Sequence, residues 1–170
     1  MKKRAEKVEI RTVSGEDQRI DFSTLPYEEL QNLTELHLYS ETMPSELPFT
    51  ITFDNELAGE LLLKSIRWYN RKAQISIFVK EKFRKQGIAE SALKFLLDYV
   101  FNTMNFYRLE AEVVSYNPAG QALFEKFGFK KEGVFRESKF FNGKFEDTYS
   151  YGLLAREFQQ LCEEKGQAGV

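Results

Sequence analysis

Histidine and cysteine are almost absent from this chain, which holds one of each, His37 and Cys162, among 170 residues. A lone cysteine excludes an internal disulfide and fits a reducing compartment, so a cytoplasmic location is expected. With so few imidazole and thiolate ligands, a zinc site would need several carboxylates, and no metal is expected. Long apolar runs are missing too. None reaches the ~18 residues of a membrane span, and no charged-then-apolar leader opens the chain, so it is expected neither to span a membrane nor to be exported. No sign of charge prevails: Lys+Arg 24 against Asp+Glu 26 gives a formal net charge of -2. That balance argues against coating nucleic acid or an anionic membrane. The basic start Met1-Lys2-Lys3-Arg4 is followed at once by Glu6 and Glu9 and reads as a solvated tail.

What is present suits one folded domain. The chain is 42% hydrophobic and 29% charged, enough apolar material for a core and ordinary for a globular protein. A single domain over residues 1–170 is expected, with 1–7 and 165–170 as frayed tails. Val8 to Val13 reads as a short strand. Pro26 sits at a first helical position ahead of Leu30, Leu33, Leu36 and Leu38, and Pro44 and Pro48 then bar regular helix. Phe49–Phe53 and Leu57–Leu63 flank Asp54-Asn55-Glu56 as a hairpin. Ala73, Ile75, Ile77 and Val79 alternate with Gln74, Ser76 and Phe78, the period of a strand with one buried face.

After Gly87 the period turns helical, with Ile88, Ala92, Phe95, Leu96, Tyr99 and Val100 on one stripe. Leu109, Ala111 and Val113 alternate as another strand. Asn117-Pro118 is a helix start and Gly128 a stop. Asn142-Gly143 predicts a type I′ turn that sets Lys139 opposite Glu146, Phe140 opposite Phe145 and Arg136 opposite Tyr149. From Ala155 the pattern is helical again. This order gives an α/β domain with a mostly antiparallel sheet and one parallel crossover.

The segment with most chemistry is the exit from the strand ending at Val79. Arg84-Lys85-Gln86-Gly87-Ile88-Ala89 leads into a long amphipathic helix. Free amide groups and the helix dipole gather positive potential there, Gly87 lets the backbone approach an anion, and Arg84 and Lys85 add full charges. There is no G-x-G-x-x-G after a strand and no G-x-x-x-x-G-K-[ST], so neither a Rossmann site nor a nucleoside triphosphatase is supported.

Val79 to Ala89 resembles the coenzyme A loop of the GNAT N-acetyltransferases, whose pattern is Gln/Arg-x-x-Gly-x-Gly/Ala. The run from Asn117-Pro118-Ala119-Gly120 through Leu123-Phe124-Glu125-Lys126-Phe127-Gly128-Phe129 resembles a second block of that family, Asn-x-x-Ser-x-x-Leu-Tyr-Glu-Lys-x-Gly-Phe. Lys131-Glu132-Gly133, the Asn142-Gly143 hairpin and Asp147 follow, as in the branch of ribosomal-protein N-terminal and polyamine acetyltransferases. The resemblance implies a mixed, mostly antiparallel sheet with a splayed parallel pair and flanking helices. It implies acetyl-CoA as co-substrate and direct transfer to a primary amine on a peptide, polyamine or amino sugar. It leaves a homodimer open. Ile77, Phe78 and Val79 would hold the pantetheine arm through their backbone, Lys85, Gln86, Gly87, Ile88, Ala89 and Glu90 would wrap the pyrophosphate with Arg84 beside them, and Asn117 would approach the thiol end.

Transfer to an amine requires loss of a proton, support for a developing oxyanion and departure of a thiolate. Glu112, five residues before Asn117, matches the family's glutamate base, while Arg108 and Glu110 on the same strand face equally suit a solvated strip. Val79 or Lys80 N–H is the expected oxyanion donor. The family's tyrosine acid falls at Phe124, which has no hydroxyl; Tyr116, Tyr149, Tyr151, Ser115 or water would have to stand in. Gly120 replaces the usual serine. A non-catalytic acyl-CoA-binding or protein-interaction module is the alternative that the loss at Phe124 keeps open.

Overall fold

The computed structural model describes residues 44–167, all within the unit Glu41–Val170. The expected strand at Val8–Val13, the helix from Pro26 and His37 lie outside the described residues. Six strands form one sheet: β1 (Leu47–Phe53), β2 (Glu56–Arg67), β3 (Lys72–Val79), β4 (Arg108–Val114), β5 (Lys130–Phe141) and β6 (Lys144–Leu154). Their spatial order is β1-β2-β3-β4-β6-β5. Every neighbouring pair is antiparallel except β3 and β4, which run parallel. Parallel neighbours need a crossover, and α1 (Ile88–Asp98) with the wide π turn Tyr99–Thr103 supplies it. Helix α2 (Pro118–Lys126) links β4 to β5, and α3 (Ala155–Gln167) follows β6. Among the described residues no helix is long and apolar enough to cross a membrane.

The odd-numbered residues of β2, β3, β4 and β6 share one face, and that face is the core. Leu61, Leu63, Ala73, Ile75, Leu109, Ala111, Val113, Tyr151 and Leu153 are buried there with Leu93, Leu96, Leu97 and Val100 of the crossover. Spacing of three and four puts those four side chains on one stripe of the helix, each worth about 1.5–3 kcal/mol on burial. Phe95, expected on that stripe, is 56% exposed. Leu93 takes the inward position, and the Phe95 ring instead stacks on Tyr99 and meets Phe49 edge-on. Phe124, Phe129 and Tyr151 form a second ring cluster under α2, and Phe101 stacks on Phe158 of α3.

The β5–β6 hairpin closes as the Asn-Gly pair predicts, with Asn142 at φ 49° and Gly143 at φ 81°. Lys139 faces Glu146 and Phe140 faces Phe145. Arg136 does not face Tyr149, whose partner is Val134. Extra residues bulge out of β5 between Phe135 and Lys139, with Glu137 at φ 52° and its N–H donating to the Asp147 carboxylate at 2.8 Å. A turn-based register cannot foresee an insertion held by a side chain of the opposite strand.

Candidate functional site

The site is built on the place where β3 and β4 part. Their pairing runs from Lys72↔Arg108 to Ile75↔Ala111 and stops, although β3 continues to Val79 and β4 to Val114. On its other edge β3 stays paired with β2 up to Gly59↔Val79. Lys80 N–H donates to Ala58 C=O at 2.8 Å. Antiparallel pairs alternate between bonded and non-bonded, so Phe78 turns its backbone groups to Glu60 of β2. Ile77 and Val79 turn theirs toward the gap beside β4. Lys80, one of two expected oxyanion donors, is therefore committed to Ala58, and Val79 N–H keeps the right direction. Val79 C=O accepts from Arg84 Nε at 3.1 Å, which pins the start of the basic loop to the lip of the gap.

The loop that follows offers backbone more than side chains. A 3-10 turn over Glu81–Phe83 buries Phe83 against Ala58 and Ile88. Gln86 Nε2 folds back to Lys82 C=O at 3.1 Å, and Lys82 pairs with Glu56. Lys85 at φ 60° and Gly87 at φ 76° both take the left-handed conformation. Gly87 is the N-cap of α1 and supplies no capping side chain. The first intrahelical bond is Ser91 N–H to Gly87 C=O, so the amides of Ile88, Ala89 and Glu90 have no helical partner. A Cβ on Gly87 would meet nothing within 4 Å, so the backbone at the N-cap is open. The Glu90 carboxylate is drawn away by Lys126 of α2 at 2.7 Å. The first turn of α1 thus keeps its dipole and loses its one negative charge, the arrangement an anion such as a pyrophosphate fits.

Asn117 caps α2, accepting from Gly120 N–H at 3.0 Å. A Cβ at Gly120 would lie 2.6 Å from Asn117 Nδ2 and 3.1 Å from Val113 Cγ1. The glycine that replaces the usual serine is thus what lets Asn117 take this position. Gln121 Nε2 donates to the Ser115 carbonyl at 3.0 Å and holds the β4–α2 connection.

Glu112 lies on the even-numbered face of β4, exposed, abreast of Ser150 on β6. Its two companions on that strand face are engaged. Arg108 donates to Glu110 at 2.8 Å and, through both terminal nitrogens, to Glu132 on β5. Those hydrogen bonds hold the Glu132 carboxyl below the usual carboxylate range. Of the three charges expected to form one solvated strip, two belong to a tied network. Glu112 has no ion pair or carboxylate hydrogen bond among the described residues.

The stand-ins for the missing tyrosine separate clearly. Phe124 is buried at 4% exposure among rings. Tyr151 is fully buried and donates to Glu125 Oε1 at 3.0 Å; burial first, and that carboxylate second, push its phenol up to about 12. Ser115 Oγ donates to Glu146. Tyr116 stacks on Phe141 with centroids 4.3 Å apart, and Tyr149 lies under Lys131 Nζ at 3.1 Å. No partner for either hydroxyl occurs among the described residues.

A groove of about 550 Å³ between β1 and α1, lined by Phe49, Ile51, Leu61, Ala92 and Phe95, carries no titratable side chain and lies two strands from the gap. Among the described residues no group of three or more His, Cys, Asp or Glu side chains is placed to hold a metal.

A sheet that splits at one parallel pair, with an amide-lined helix start beside the split, is the layout that the resemblance to the GNAT N-acetyltransferases implies. Residues 8–149 match the acetyltransferase (GNAT) domain family. The chain is 30% identical over 143 residues to spermidine N(1)-acetyltransferase of Escherichia coli K12, covering 82% of this chain and 74% of that protein. It is 30% identical over 109 residues to the putative ribosomal N-acetyltransferase YdaF of Bacillus subtilis 168, covering 64% and 60%. The structure of spermidine N-acetyltransferase from Vibrio cholerae in complex with CoA and spermine superposes with a TM-score of 0.64 at 26% identity, covering 79% of each chain. The chain belongs to the GNAT family and is an N-acetyltransferase.

Two of the contributions that sequence reading missed, the Lys126 pull on Glu90 and the Arg108–Glu132 pair, join segments whose proximity only the fold creates. The third, the Arg84 side chain on Val79 C=O, is a local contact within the loop. Opposite charges were visible at all of these positions except Val79; their partners were not.

Proposed function

We propose that this enzyme transfers the acetyl group of acetyl-CoA to a primary aliphatic amine, a polyamine first among the candidates, by direct attack within a ternary complex. One observation carries the reading: β3 and β4 separate beyond Ile75↔Ala111, and the gap has Val79 N–H on one lip and the unpaired carboxylate of Glu112 on the other.

The residues fit the co-substrate. The free amides of Ile88, Ala89 and Glu90, with Lys85 and Arg84 beside them, suit its diphosphate. Ile77 and Val79 offer strand-like backbone groups to its amide-bearing arm, and Asn117 stands at the α2 N-terminus just past the end of β4. Bound acetyl-CoA supplies the activated acyl carbon. Glu112 takes the proton from the incoming ammonium or amine, directly or through a water. Val79 N–H donates to the acyl oxygen as negative charge gathers on it. The departing thiolate takes its proton from water or from the hydroxyl of Tyr116 or Tyr149, since Phe124 has none to give and Tyr151 and Ser115 donate elsewhere.

The polyamine preference is supported by the spermidine acetyltransferases of Escherichia coli and Vibrio cholerae among the relatives. Free acidic groups on the acceptor face, Glu112 and the exposed Glu60, agree with a cationic substrate. The exposed, unpaired Cys162 agrees with a reducing cytoplasm. Release of free thiol from acetyl-CoA with spermidine, spermine, an alanine-terminated peptide and glucosamine tests this directly. Turnover is expected with the polyamines above the others. Tight acetyl-CoA binding without thiol release for any amine would instead establish a binding module.

A further inference from the structure

Phe78 stands on a central strand of the sheet, yet it is 57% exposed. Its backbone is committed to β2, so the residue contributes to the gap through its ring. The pairing Gln74↔Glu110 puts even-numbered residues of β3 and β4 on one face, and two-residue periodicity extends this to Ser76, Phe78 and Glu112. Ser150 of β6 stands abreast of Glu112, and Ser76 is the first residue of β3 past the last pair, Ile75↔Ala111. Phe78 comes next along β3, with Glu60 opposite it on β2. The floor around Glu112 is therefore polar, and Phe78 is the ring set into it. Past the end of β4, Tyr116 stacks on Phe141 of β5, with both rings about 40% exposed.

With 57% of its surface exposed and no ring contact among the described residues, Phe78 gives the fold little. A ligand with carbon to bury would gain from it. We infer that Phe78 is a specificity-determining residue of the acceptor site: it receives the methylene stem of the amine whose nitrogen lies at Glu112. This deepens the acetyl-transfer reading and rests on it. The acceptor class it selects is a primary amine on an unbranched, uncharged stem of about three or more carbons. A branched or carbonyl-bearing α-carbon, as in a peptide terminus, is disfavoured at that ring.

The experiment compares kcat/KM for ethylamine, butylamine and hexylamine in the wild type, Phe78→Ala and Phe78→Leu, with circular dichroism confirming the fold of each. In the wild type, kcat/KM should climb about threefold to fourfold per methylene that reaches the ring. The hexylamine-to-ethylamine ratio should fall at least tenfold in Phe78→Ala, and Phe78→Leu should restore most of it. A ratio in Phe78→Ala equal to that of the wild type, or a wild type indifferent to chain length, overturns the assignment while leaving acetyl transfer intact. A wild type that acetylates no amine overturns both.

Discussion

Arg108 and Glu132 join β4 to β5 across the strand that lies between them. The guanidinium and carboxylate meet over Gly152 of β6, where a Cβ would lie 2.5 Å from Glu132 Oε1. The glycine is the opening through which the pair forms. Three strands are thereby tied on the polar face of the sheet, the face that also carries Glu112.

Gly152→Ala should push the Glu132 carboxylate aside and break the fork, at a cost of about 1 kcal/mol for a partly exposed charged pair. Because Arg108 lowers the Glu132 pKa, the pair's contribution is present at neutral pH and is lost as pH falls through that lowered value. The melting-temperature gap between wild type and Gly152→Ala should therefore close on acidification below about pH 4. A gap that persists unchanged there would assign the loss to backbone strain.

Gly87→Glu places a carboxylate over the unpaired amides at the start of α1 and forces φ 76° on a residue with a Cβ. Calorimetry should show coenzyme A affinity reduced at least tenfold, with native-like far-UV spectra. Unchanged affinity would remove this loop from the cofactor site.

Gly143→Val tests the hairpin. A β-branched residue at φ 81° opposes the turn by about 1–2 kcal/mol, enough to lower the melting temperature by roughly 2–8 °C. Turnover per folded molecule should hold. Lost turnover without lost stability would place the hairpin in the site.

Tyr151→Phe separates structure from chemistry at the tyrosine whose ring stacks on Phe124. The phenol pKa is raised to about 12, so its stabilising bond to Glu125 is complete below about pH 10 and disappears as pH climbs through 12. The variant should lose about 1 kcal/mol at neutral pH, and the deficit should vanish in alkaline unfolding near pH 12. Its kcat should match wild type. A hundredfold drop in kcat would make Tyr151 the acid after all.

The sequence was most legible where local rules act alone. Asn142-Gly143 can close only a hairpin, Asn117-Pro118 can only open a helix, and the strand-to-helix change of period at Gly87 marks the loop. It was least legible where a side chain reaches between strands. Phe95 is off the buried stripe because Leu93, Leu96, Leu97 and Val100 define it, and a residue two positions from Leu93 falls about 200° round the helix, on the other face. Arg136 lost its partner because Asp147 holds a bulge. The resemblance at Arg84–Ala89 named the loop, but that its side chains mostly brace it while its amides face outward follows only from Gln86, Ile88 and Glu90 having partners elsewhere.

The central claim is that Glu112 accepts the proton of the amine, and the pH–rate profile of Glu112→Gln tests it most directly. Glutamine keeps the size and much of the hydrogen bonding but takes no proton at neutral pH. Against the amine that turns over best, kcat/KM near pH 7 should fall about 10²- to 10⁴-fold, with coenzyme A affinity within twofold of wild type. The deficit should narrow as pH rises toward the amine's own pKa near 10, where free amine needs no base. Full activity of Glu112→Gln across that range would contradict the account.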